Sequence, residues 1–550
     1  MADLSSIFKA YDVRGVVPDT LNADIARAIG AGFARVVEGP AVVVAHDMRP
    51  SSPELTAAFA EGVTGQGVDV VHVGLGSTDL LYYASGELDL PGAMFTASHN
   101  PAQYNGIKMC RAGAAPISSD TGLSDVRRSA EEILDGSKTS TEKGGARGTV
   151  TERDLLSGYA DYLRELVDLS EIRPLKVAVD AGNGMGGHTV PAVLGKGLPL
   201  EIVPLYFELD GTFPNHPANP MDPDNLVDLQ AKVRESDADI GLAFDGDADR
   251  CFVIDERGEP VPPSAVTALV AAQELEREPG ATIIHNLITS LAVSEIVEEK
   301  GGTPIRTRVG HSFIKARMAE TGAIFGGEHS AHYYFRDFFL ADSGMLAALH
   351  VLAALAETDG TASELLAGHD PYPSSGEINS EVPDPAAALE RVREHTEKLP
   401  DAVADELDGL TVVHWDEQMP PEDRWWISLR PSNTESLLRL NVEAAQETTM
   451  TRVRDEILAL VRDEELVAEG APPVSEAEPT AAEAEAAGVA LPAGASGADV
   501  PSWVRAQLRC PDCGGELRDV EAALQCEGCA RVHPVSGGIP VLIAGRTAVG

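Results

Sequence analysis

The sequence predicts an α/β protein with three successive α/β units, a smaller α+β domain and a compact domain near the C-terminal end. Strand-like and helix-like segments alternate over the first two thirds of the chain, and the pattern changes from about Tyr372. Four of the six cysteines cluster in the last part of the chain. For 550 residues, a prior of about 150 residues per domain also gives roughly four units.

Strand-like runs followed by helix-like patterns predict the three α/β units. In the first unit, residues 41–45 and 68–73 are rich in valine, and residues 53–62 between them are helix-like. Similar strands at residues 176–180 and 281–285 begin the second and third units. Alternation of this kind indicates parallel sheets covered by helices.

The remaining part of the chain changes character twice. A helix-like segment at 386–399, followed by strand-like segments at 411–413 and 426–430, indicates a smaller α+β domain. Residues 466–499 are mainly Ala, Glu, Pro and Gly without an aromatic residue, so they cannot bury enough apolar surface to offset the entropy of ordering. The predicted divisions are 1–148, 149–256, 257–371 and 372–465, a disordered linker at 466–500 and a tail domain at 501–550.

The composition is that of a globular protein, with 43% apolar and 23% charged residues. The net charge of -45 creates a field that repels nucleic acid and anionic membranes, so an anionic substrate would need a local basic pocket. The start of the sequence lacks the pattern of a secretory signal, and no apolar run is long enough to span a bilayer. The sequence therefore predicts a cytoplasmic protein that binds neither nucleic acid nor membrane.

Three carboxylates at alternate positions follow the apolar run at residues 240–244. They belong to the segment DGDADR, in which Asp245, Asp247 and Asp249 precede Arg250. Oxygen ligands without nearby His or Cys suit a hard cation such as Mg²⁺, which keeps open positions for water and phosphate oxygens. The alternative is a solvated acidic turn, which a chain with 87 acidic residues also allows.

A candidate nucleophile lies in the segment TASHNP, which follows the short apolar run at residues 93–95. The Asn-Pro pair predicts a turn, so Ser98 is expected to be exposed on a loop. The neighbouring His99 suggests a serine hydrolase, but the Gly-x-Ser-x-Gly elbow is missing and sequence neighbours on an extended loop usually point apart. The alternative is a serine that stabilises the turn by side-chain hydrogen bonds. Lys108 and Arg14 are candidate cationic partners, although each is a weak signal alone.

Two further loops carry groups suited to a phosphorylated sugar. Residues 326–332 combine a glycine pair with a carboxylate, a hydroxyl and imidazoles, which suits sugar hydroxyls, although a polar connection between helices is the alternative. Residues 430–435, RPSNTE, lie between two strand-like segments, the second of which contains Arg439. Hydroxyls, an amide and the two flanking arginines can bind phosphate, whereas the alternative is a plain hairpin turn.

A glycine-rich segment at residues 182–187 follows the strand at 177–180 and fits the dinucleotide-binding pattern Gly-x-Gly-x-x-Gly. The pattern alone is weak, and nothing else indicates a nicotinamide enzyme. These glycines therefore predict a tight turn between a strand and a helix.

The tail contains two Cys-x-x-Cys pairs separated by twelve residues. This spacing lets two short turns supply four thiolates tetrahedrally, so it predicts a closed, structural Zn²⁺ site in preference to a redox dithiol. The predicted ligands are Cys510, Cys513, Cys526 and Cys529.

Four segments, taken in order, resemble the signature loops of the α-D-phosphohexomutase superfamily. They are TASHNP at 96–101, DGDADR at 245–250, GEHSAH at 327–332 and RPSNTE at 430–435. The resemblance covers residues 1 to 465, and within the superfamily the motifs most resemble those of bacterial phosphomannomutases. It implies four domains around one cleft and the interconversion of mannose 6-phosphate and mannose 1-phosphate, with glucose phosphates as further substrates.

The resemblance also implies a role for each candidate residue. Ser98 would carry the phosphoryl group, Asp245, Asp247 and Asp249 would hold Mg²⁺ against it, and a hexose 1,6-bisphosphate would be both intermediate and activator. Sugar hydroxyls would be bound by Glu328 and Ser330. The non-reacting phosphate would be bound by Arg430, Ser432, Asn433 and Thr434, with Arg439 beside them. Around the reacting centre would lie Tyr11, Arg14, Lys108, Arg250, His311 and His332, with Lys108 or His332 as the general acid or base.

Two departures from the superfamily pattern are present. Related mutases often have a lysine in the loop that corresponds to residues 286–290, and a glycine where this chain has Ala331. The first departure concerns the orientation of the sugar, and the second fits a preference for mannose.

The tail from residue 508 to 543 resembles small zinc-ribbon proteins of the tRNA methyltransferase activator family, which implies a module that binds a protein partner. Three alternatives to a phosphomannomutase follow from these patterns. One is a phosphoglucosamine mutase, another is a partner-binding protein that acts through its zinc ribbon, and the third is a nicotinamide-dependent oxidoreductase based on residues 182–187.

Overall fold

The computed structural model describes residues 3–463 apart from 139–145, 196, 417 and 432–436, together with four short strands of the tail. The chain divides into two compact bodies, Met1–Leu466 and Val467–Gly550. The three α/β units and the α+β domain all belong to the first body. No helix in the described part of the chain has both the length and the apolar content needed to cross a bilayer.

The first sheet has six strands in the order β1-β5-β4-β2-β3-β6. Strands β2, β3, β4 and β6 are parallel, whereas β5 is antiparallel to both β1 and β4. Its elements are β1 Asp12–Val16, α1 Ala23–Val36, β2 Ala41–His46, α2 Ser52–Gly65, β3 Asp69–Leu75, α3 Thr78–Leu88, β4 Gly92–Phe95, β5 Tyr104–Cys110, α4 Ser124–Leu134 and β6 Val150–Glu152.

The second and third sheets have five strands each, in the orders β11-β10-β9-β7-β8 and β13-β12-β14-β15-β16. The elements of the second unit are α5 Leu156–Leu166, β7 Leu175–Asp180, α6 Gly186–Val190, β8 Leu200–Leu205, α7 Val227–Ser236, β9 Ile240–Phe244, β10 Cys251–Ile254 and β11 Pro260–Val261. Those of the third are α8 Pro263–Arg277, β12 Thr282–Asn286, α9 Leu291–Glu299, β13 Thr303–Thr307, α10 His311–Thr321, β14 Phe325–Gly327, β15 Tyr333–Phe335, β16 Ala341–Asp342, α11 Gly344–Glu357 and α12 Ala362–Ala367.

The fourth sheet is antiparallel throughout, in the order β17-β21-β20-β19-β18. It is the predicted α+β part, and it has its own hydrophobic core. Its elements are β17 Ile378–Glu381, α13 Pro385–Thr396, β18 Val403–Asp405, β19 Leu410–His414, β20 Trp425–Pro431, β21 Leu437–Ala444 and α14 Glu447–Arg462.

The tail contains a separate four-stranded antiparallel sheet. Its strands are β22 Leu517–Val520, β23 Ala523–Cys526, β24 Val532–Ser536 and β25 Ile539–Pro540. Cys510, Cys513 and Cys529 lie outside the described residues, and only the backbone of Cys526 is described.

The first three sheets are mixed, so the parallel pairing expected from the alternation of strands and helices holds for only part of each sheet. In each of them a short connection returns the chain antiparallel, after β4, β9 and β14 respectively. A parallel neighbour would need a crossover of about a dozen residues or more. These three short connections carry the serine, aspartate and sugar-loop motifs, and the fourth motif spans β20 to β21. The fold therefore puts all four motifs at equivalent positions, each between two antiparallel strands.

One continuous hydrophobic core joins the first three units. Helix α11 contributes most of its length to this core, with apolar residues on all sides, as is typical of a fully enclosed helix. Asp79 is a buried polar residue in the same region. Its carboxylate accepts hydrogen bonds from Ser77, from Tyr159 on α5 (2.6 Å) and from Ser343, the N-cap of α11 (2.7 Å). One carboxylate thus binds hydroxyl groups from all three units.

The burial of the Asp79 carboxyl group should make the free energy of unfolding depend on pH. Burial raises the pKa of Asp79 to about 6, although the three hydroxyl donors oppose the shift. An aspartate in the unfolded chain titrates near about 3.9, so between about pH 4 and pH 6 the folded protein binds the extra proton. The stabilising contribution of that proton is complete below about pH 4 and is lost as the pH rises through about 6, a change of about 3 kcal/mol at most.

We expect Asp79→Asn to remove this part of the pH dependence. The free energy of unfolding of the wild type should fall relative to that of the variant between pH 4 and pH 6.5, which denaturant titrations at several pH values measure. Asp161→Asn, at an exposed position on α5, is the control. Wild-type and Asp79→Asn stabilities that run parallel across this pH range would contradict the prediction.

Candidate active site

Ser98 lies in the connection between β4 and β5, with φ of 50°, in the left-handed region. Its hydroxyl donates a hydrogen bond to Asp245 Oδ2 at 2.7 Å, and its backbone N–H donates to Thr96 Oγ1 at 2.9 Å. The prediction of an exposed serine is wrong, because Ser98 is only 4% exposed. The aspartate loop of the second unit packs over the serine loop. Nothing in the sequence of the serine loop alone indicates this packing.

Ser98 and His99 do not point apart as the sequence predicted, since Ser98 Oγ lies 3.2 Å from His99 Nδ1. The left-handed backbone at Ser98 turns the two side chains to the same side. Arg250 Nη2 lies 2.8 Å from the same Nδ1, and a guanidinium can only donate, so this nitrogen is already an acceptor. Burial lowers the pKa of His99 to about 2, and Arg250 and Arg14 add to the shift. The pair therefore lacks the arrangement of a serine hydrolase.

Asp245, Asp247 and Asp249 are all buried, and one carboxylate oxygen of each lies within 4.8 Å of the other two. The oxygens Asp247 Oδ1 and Asp249 Oδ1 have no hydrogen-bond partner among the described residues. A buried carboxylate oxygen without a partner is costly, so this arrangement favours a cation as the missing partner. It disfavours the alternative of a solvated acidic turn.

Two cations of the chain contact this aspartate trio. Lys108 Nζ on β5 binds Asp247 Oδ2 at 2.7 Å and Asp249 Oδ2 at 2.5 Å. Arg250 donates from Nε and Nη2 to Asp245 Oδ2 at 3.0 and 2.8 Å, and its Nη2 lies 3.4 Å from Ser98 Oγ. The predicted serine, aspartates, lysine and arginine thus form one cluster of direct contacts.

The ionisable groups of this cluster have pKa values that are shifted in different directions. Burial raises the pKa of Asp245 to about 7, against the effect of Arg250 and with that of the other two carboxylates. Burial would also raise the pKa of Asp247, but the Lys108 ammonium outweighs it and the pKa lies well below its usual range. Burial would lower the pKa of Lys108, but the carboxylates outweigh it and raise the pKa. Lys108 is therefore a charged ammonium in this arrangement.

Glycines permit the close approach of the loops. A Cβ at Gly246 would lie 2.4 Å from Ser98 O, so a side chain there would separate the serine and aspartate loops. A Cβ at Gly184 would likewise lie 2.7 Å from Gly246 O. The glycine-rich segment after β7 is therefore a tight turn, as the sequence predicted, and it also packs against the aspartate loop.

Arg14 and Tyr11 of the first unit and His311 of the third were also predicted to lie beside this cluster. Arg14 on β1 binds Asp12 Oδ2 at 2.8 Å and Asn100 Oδ1 at 2.6 Å, which places it beside the serine loop. Tyr11 makes an edge contact with Phe313 on α10. The backbone of His311 begins α10, whereas its side chain lies outside the described part of the structure.

The sugar-loop motif lies between β14 and β15, and His332 is its link to the cluster. His332 Nε2 is 4.0 Å from Asp249 Oδ1, and Ser330 Oγ is 3.0 Å from His332 Nδ1. Glu328 is buried, and its carboxylate accepts hydrogen bonds from Asn286, Gly310 N and Tyr334 at 3.2, 3.1 and 2.8 Å. Glu328 thus already binds protein groups.

Ala331 has φ of 65°, in the left-handed region. Glycine adopts this conformation without steric cost, whereas alanine is strained there. A glycine, which the resemblance leads us to expect here, would relieve this strain whichever sugar is bound.

Arg430 and Arg439 are direct neighbours on β20 and β21. Both contact Glu377, at 3.5 and 3.1 Å, and Arg430 also lies 3.6 Å from Asp408. Asp408 Oδ2 accepts a hydrogen bond of 3.3 Å from Val309 N, so the arginine pair adjoins the loop that precedes α10. Ser432, Asn433 and Thr434 lie outside the described residues.

The sequence reasoning missed three residues that support the cluster. Thr78, at the start of α3, donates to Asp247 Oδ2 at 2.6 Å. Asp47 and Arg49, directly after β2, form a buried ion pair of 3.2 Å beneath the serine loop. The sequence around Asp47 and Arg49 gives no signal of this role, because the partners of Arg49 in the serine loop lie about 50 residues further along the chain.

Comparisons with known proteins agree with this arrangement. The chain matches domains I, II and III (alpha/beta/alpha) and the C-terminal domain of phosphoglucomutase/phosphomannomutase. The matched residues are 5–134, 157–258, 262–372 and 377–460, respectively.

Several relatives with similar sequences are phosphomannomutases. A phosphomannomutase of Salmonella montevideo is 40% identical over 461 residues, which covers 82% of this chain and 98% of the relative. A phosphomannomutase of Escherichia coli is 40% identical over 463 residues, covering 83% and 99%. The crystal structure of a phosphoglucomutase/phosphomannomutase family protein from Burkholderia thailandensis matches with a TM-score of 0.74 and 36% identity, covering 84% and 98%. The chain therefore belongs to the phosphoglucomutase/phosphomannomutase family of the α-D-phosphohexomutase superfamily and is a phosphohexomutase, an isomerase.

Proposed function

We propose that this chain is a phosphomannomutase that interconverts mannose 6-phosphate and mannose 1-phosphate through a phosphoserine at Ser98. The observation that carries the proposal is the contact of 2.7 Å between Ser98 Oγ and Asp245 Oδ2, within a cluster that also holds Lys108 and Arg250. The names of the relatives from Salmonella montevideo and Escherichia coli support mannose phosphates as substrates.

The reaction balances as two phosphoryl transfers. In the first, the bond between Ser98 Oγ and phosphorus breaks as a sugar hydroxyl attacks, and the hydroxyl proton passes to a base. The resulting hexose 1,6-bisphosphate reorients within the cleft, and Ser98 Oγ then takes the other phosphoryl group. The same bisphosphate, supplied from solution, would phosphorylate Ser98 and so acts as an activator.

Positioning and charge carry most of the catalysis in such a transfer. Arg250 and Lys108 would offset the negative charge on the transferring group, because both lie within the Ser98 cluster. Lys108 or His332, which lies 4.0 Å from Asp249, would act as the general acid or base. The carboxylates raise the pKa of Lys108, which makes its ammonium a weak acid, so its charge is best suited to stabilising the transferring group. By the resemblance, Arg14 and Tyr11 of the first unit and His311 of the third would act beside Lys108 and His332.

The aspartate trio fits Mg²⁺ in ligand type and geometry. Asp245, Asp247 and Asp249 supply only oxygen, and two of these oxygens lack a partner in the described part of the chain. A bound Mg²⁺ would neutralise charge on the phosphoryl oxygens. The Ser98 hydroxyl, as a further oxygen ligand, would lie against the same ion.

The arginine pair Arg430 and Arg439 suits the phosphate that does not react. Arg430 Nε and Arg439 Nε are buried and have no hydrogen-bond partner among the described residues, so both can donate to an anion. The hydroxyls and amide of Ser432, Asn433 and Thr434 belong to the same connection. Glu328 and Ser330 would orient the sugar hydroxyls, with Glu328 exchanging part of its present bonding for the sugar.

The tail contributes the remaining proposals. Cys510, Cys513, Cys526 and Cys529 would hold structural Zn²⁺, since their spacing is typical of such a site. The resulting zinc ribbon would bind a protein partner, on the strength of its resemblance to an activator family. A cytoplasmic location stays a prediction from the sequence.

Turnover of three sugars tests the proposed substrate. We expect mannose 1-phosphate to be converted with the highest kcat/KM, glucose 1-phosphate within about tenfold of it, and glucosamine 1-phosphate at least about 100-fold more slowly, because a charged amine alters the hydroxyl contacts. A preference for glucosamine 1-phosphate would favour the alternative of a phosphoglucosamine mutase. Each assay needs the matching 1,6-bisphosphate, so that differences in activation are not mistaken for specificity.

A further inference from the structure

The buried guanidinium of Arg49 is bonded to the backbone of the serine loop at four points. Its side chain is 0% exposed. Nη1 donates to Pro101 O and Tyr104 O, both at 2.9 Å, and Nη2 donates to Ser98 O at 2.9 Å and Asn100 O at 2.7 Å. A single side chain therefore satisfies four carbonyl groups of the loop that presents Ser98.

The guanidinium is itself held in place by Asp47. Arg49 Nε lies 3.2 Å from Asp47 Oδ2, and Asp47 Oδ1 accepts bonds from Arg49 N at 3.0 Å and from Ser52 Oγ at 2.6 Å. Asn105 Nδ2 donates to Ser52 Oγ at 2.9 Å, which closes the network onto β5. Since β5 also carries Lys108, the network fixes both ends of the serine loop and the lysine strand together.

Arg49 also contacts the second unit. Its guanidinium lies over the ring of Phe213, 5.1 Å from the centroid. Phe213 lies in the connection between β8 and α7. The residue that binds the serine loop therefore also packs against the unit that supplies the aspartate loop.

We infer that Arg49 is a positioning residue for the phosphoryl transfer, holding Ser98 in register with Asp245; this inference rests on the proposed function. The left-handed backbone at Ser98 is a strained conformation that its surroundings must maintain. Buried carbonyl groups need donors, and only a guanidinium can supply five N–H groups in a fixed planar fork. With no exposed surface, Arg49 cannot bind the substrate and acts only through the loop.

The test compares Arg49→Lys and Arg49→Ala with the wild type. A displacement of the nucleophile by about 1 Å can cost about 100-fold in rate, so we expect kcat to fall by about 30- to 100-fold in Arg49→Lys, with KM within about threefold of the wild type. Guanidinium ion, added to Arg49→Ala below the concentration that unfolds it, should restore at least about a tenth of the wild-type kcat. A change in KM alone, or no rescue of a folded Arg49→Ala variant, would overturn the inference.

Arg173→Met is the matched control, because Arg173 also donates to three backbone carbonyl groups, at the end of α11 and just after it, outside the four motif loops. Its kcat should stay within about twofold of the wild type. If both Arg49 variants fail to fold, Ser52→Ala weakens the same network by two hydrogen bonds, the one to Asp47 and the one from Asn105. A folded Ser52→Ala variant should lose kcat severalfold, and an unchanged kcat would count against the inference.

Failure of this inference differs from failure of the proposed function. Mass spectrometry of wild-type peptides reports phosphate on Ser98 independently of Arg49. Wild-type turnover without a phosphorylated Ser98 would refute the proposed function. Phosphorylated Ser98 and full turnover in Arg49→Lys would refute only the positioning role.

Discussion

Ser98→Ala is expected to abolish mutase turnover, with kcat at least about 10⁴-fold below the wild type, because no other group can take up and return the phosphoryl group. The hydroxyl contacts both Asp245 and Arg250. Removing a single buried oxygen should leave the fold intact, so the thermal unfolding temperature should change by only a few degrees. The loss therefore appears in kcat and not in stability.

Steady-state assays with mannose 1-phosphate and the bisphosphate activator measure this effect. Ser119→Ala removes a hydroxyl from an exposed position of the same unit and is the control. A folded Ser98→Ala variant that keeps more than about a hundredth of wild-type kcat would show that the reaction does not depend on this serine.

Asp247→Asn is expected to give the second largest effect, a loss of about 10²- to 10³-fold in kcat together with a higher Mg²⁺ requirement. Asp247 is fully buried, and its Oδ1 lacks a partner in the described part of the chain, while Oδ2 binds Lys108 and Thr78. An amide would keep the shape but remove a negative charge from the proposed ligand set. Chelation of the metal should inactivate the wild type, and added Mg²⁺ should restore it.

Titration of kcat with Mg²⁺ separates the two parts of this prediction. Half-maximal activity should need at least about tenfold more Mg²⁺ in Asp247→Asn than in the wild type, which corresponds to about 1.4 kcal/mol of binding free energy. Asp255→Asn replaces another buried carboxylate of the same unit, whose partners are Arg257 and Glu259 N, and serves as the control. Full turnover in excess chelator, or the same Mg²⁺ dependence in both proteins, would contradict a metal at this trio.

Local sequence patterns were enough to find the four motif loops, because each carries its chemistry within six consecutive residues after an apolar strand. The segment DGDADR, for example, predicted a cation site at Asp245, Asp247 and Asp249, whose carboxylates lie close together in the structure. The same patterns were also enough to separate the glycine-rich turn at residues 182–187 from a dinucleotide site.

Local patterns did not predict the burial of Ser98, the role of Arg49 or the antiparallel returns, which depend on contacts between distant segments. Ser98 is buried because Asp245 and Gly246, about 150 residues further along, pack onto it, and no local pattern reports such cover. Arg49 escaped notice for the same reason, since its four partners lie about 50 residues away. The antiparallel returns were missed because strand-helix alternation predicts parallel pairing wherever a crossover exists, and it says nothing of the short loops in which the chemistry lies.

The phosphoryl group of Ser98 is the centre of this account, and a single turnover of labelled enzyme tests it most directly. Enzyme carrying labelled phosphate is mixed with unlabelled mannose 1-phosphate and sampled over time. The account predicts that label leaves the Ser98 peptide and appears in mannose 1,6-bisphosphate at a rate no slower than kcat. Label that stays on the enzyme, or that resides on a residue other than Ser98, while mannose 6-phosphate forms would contradict it.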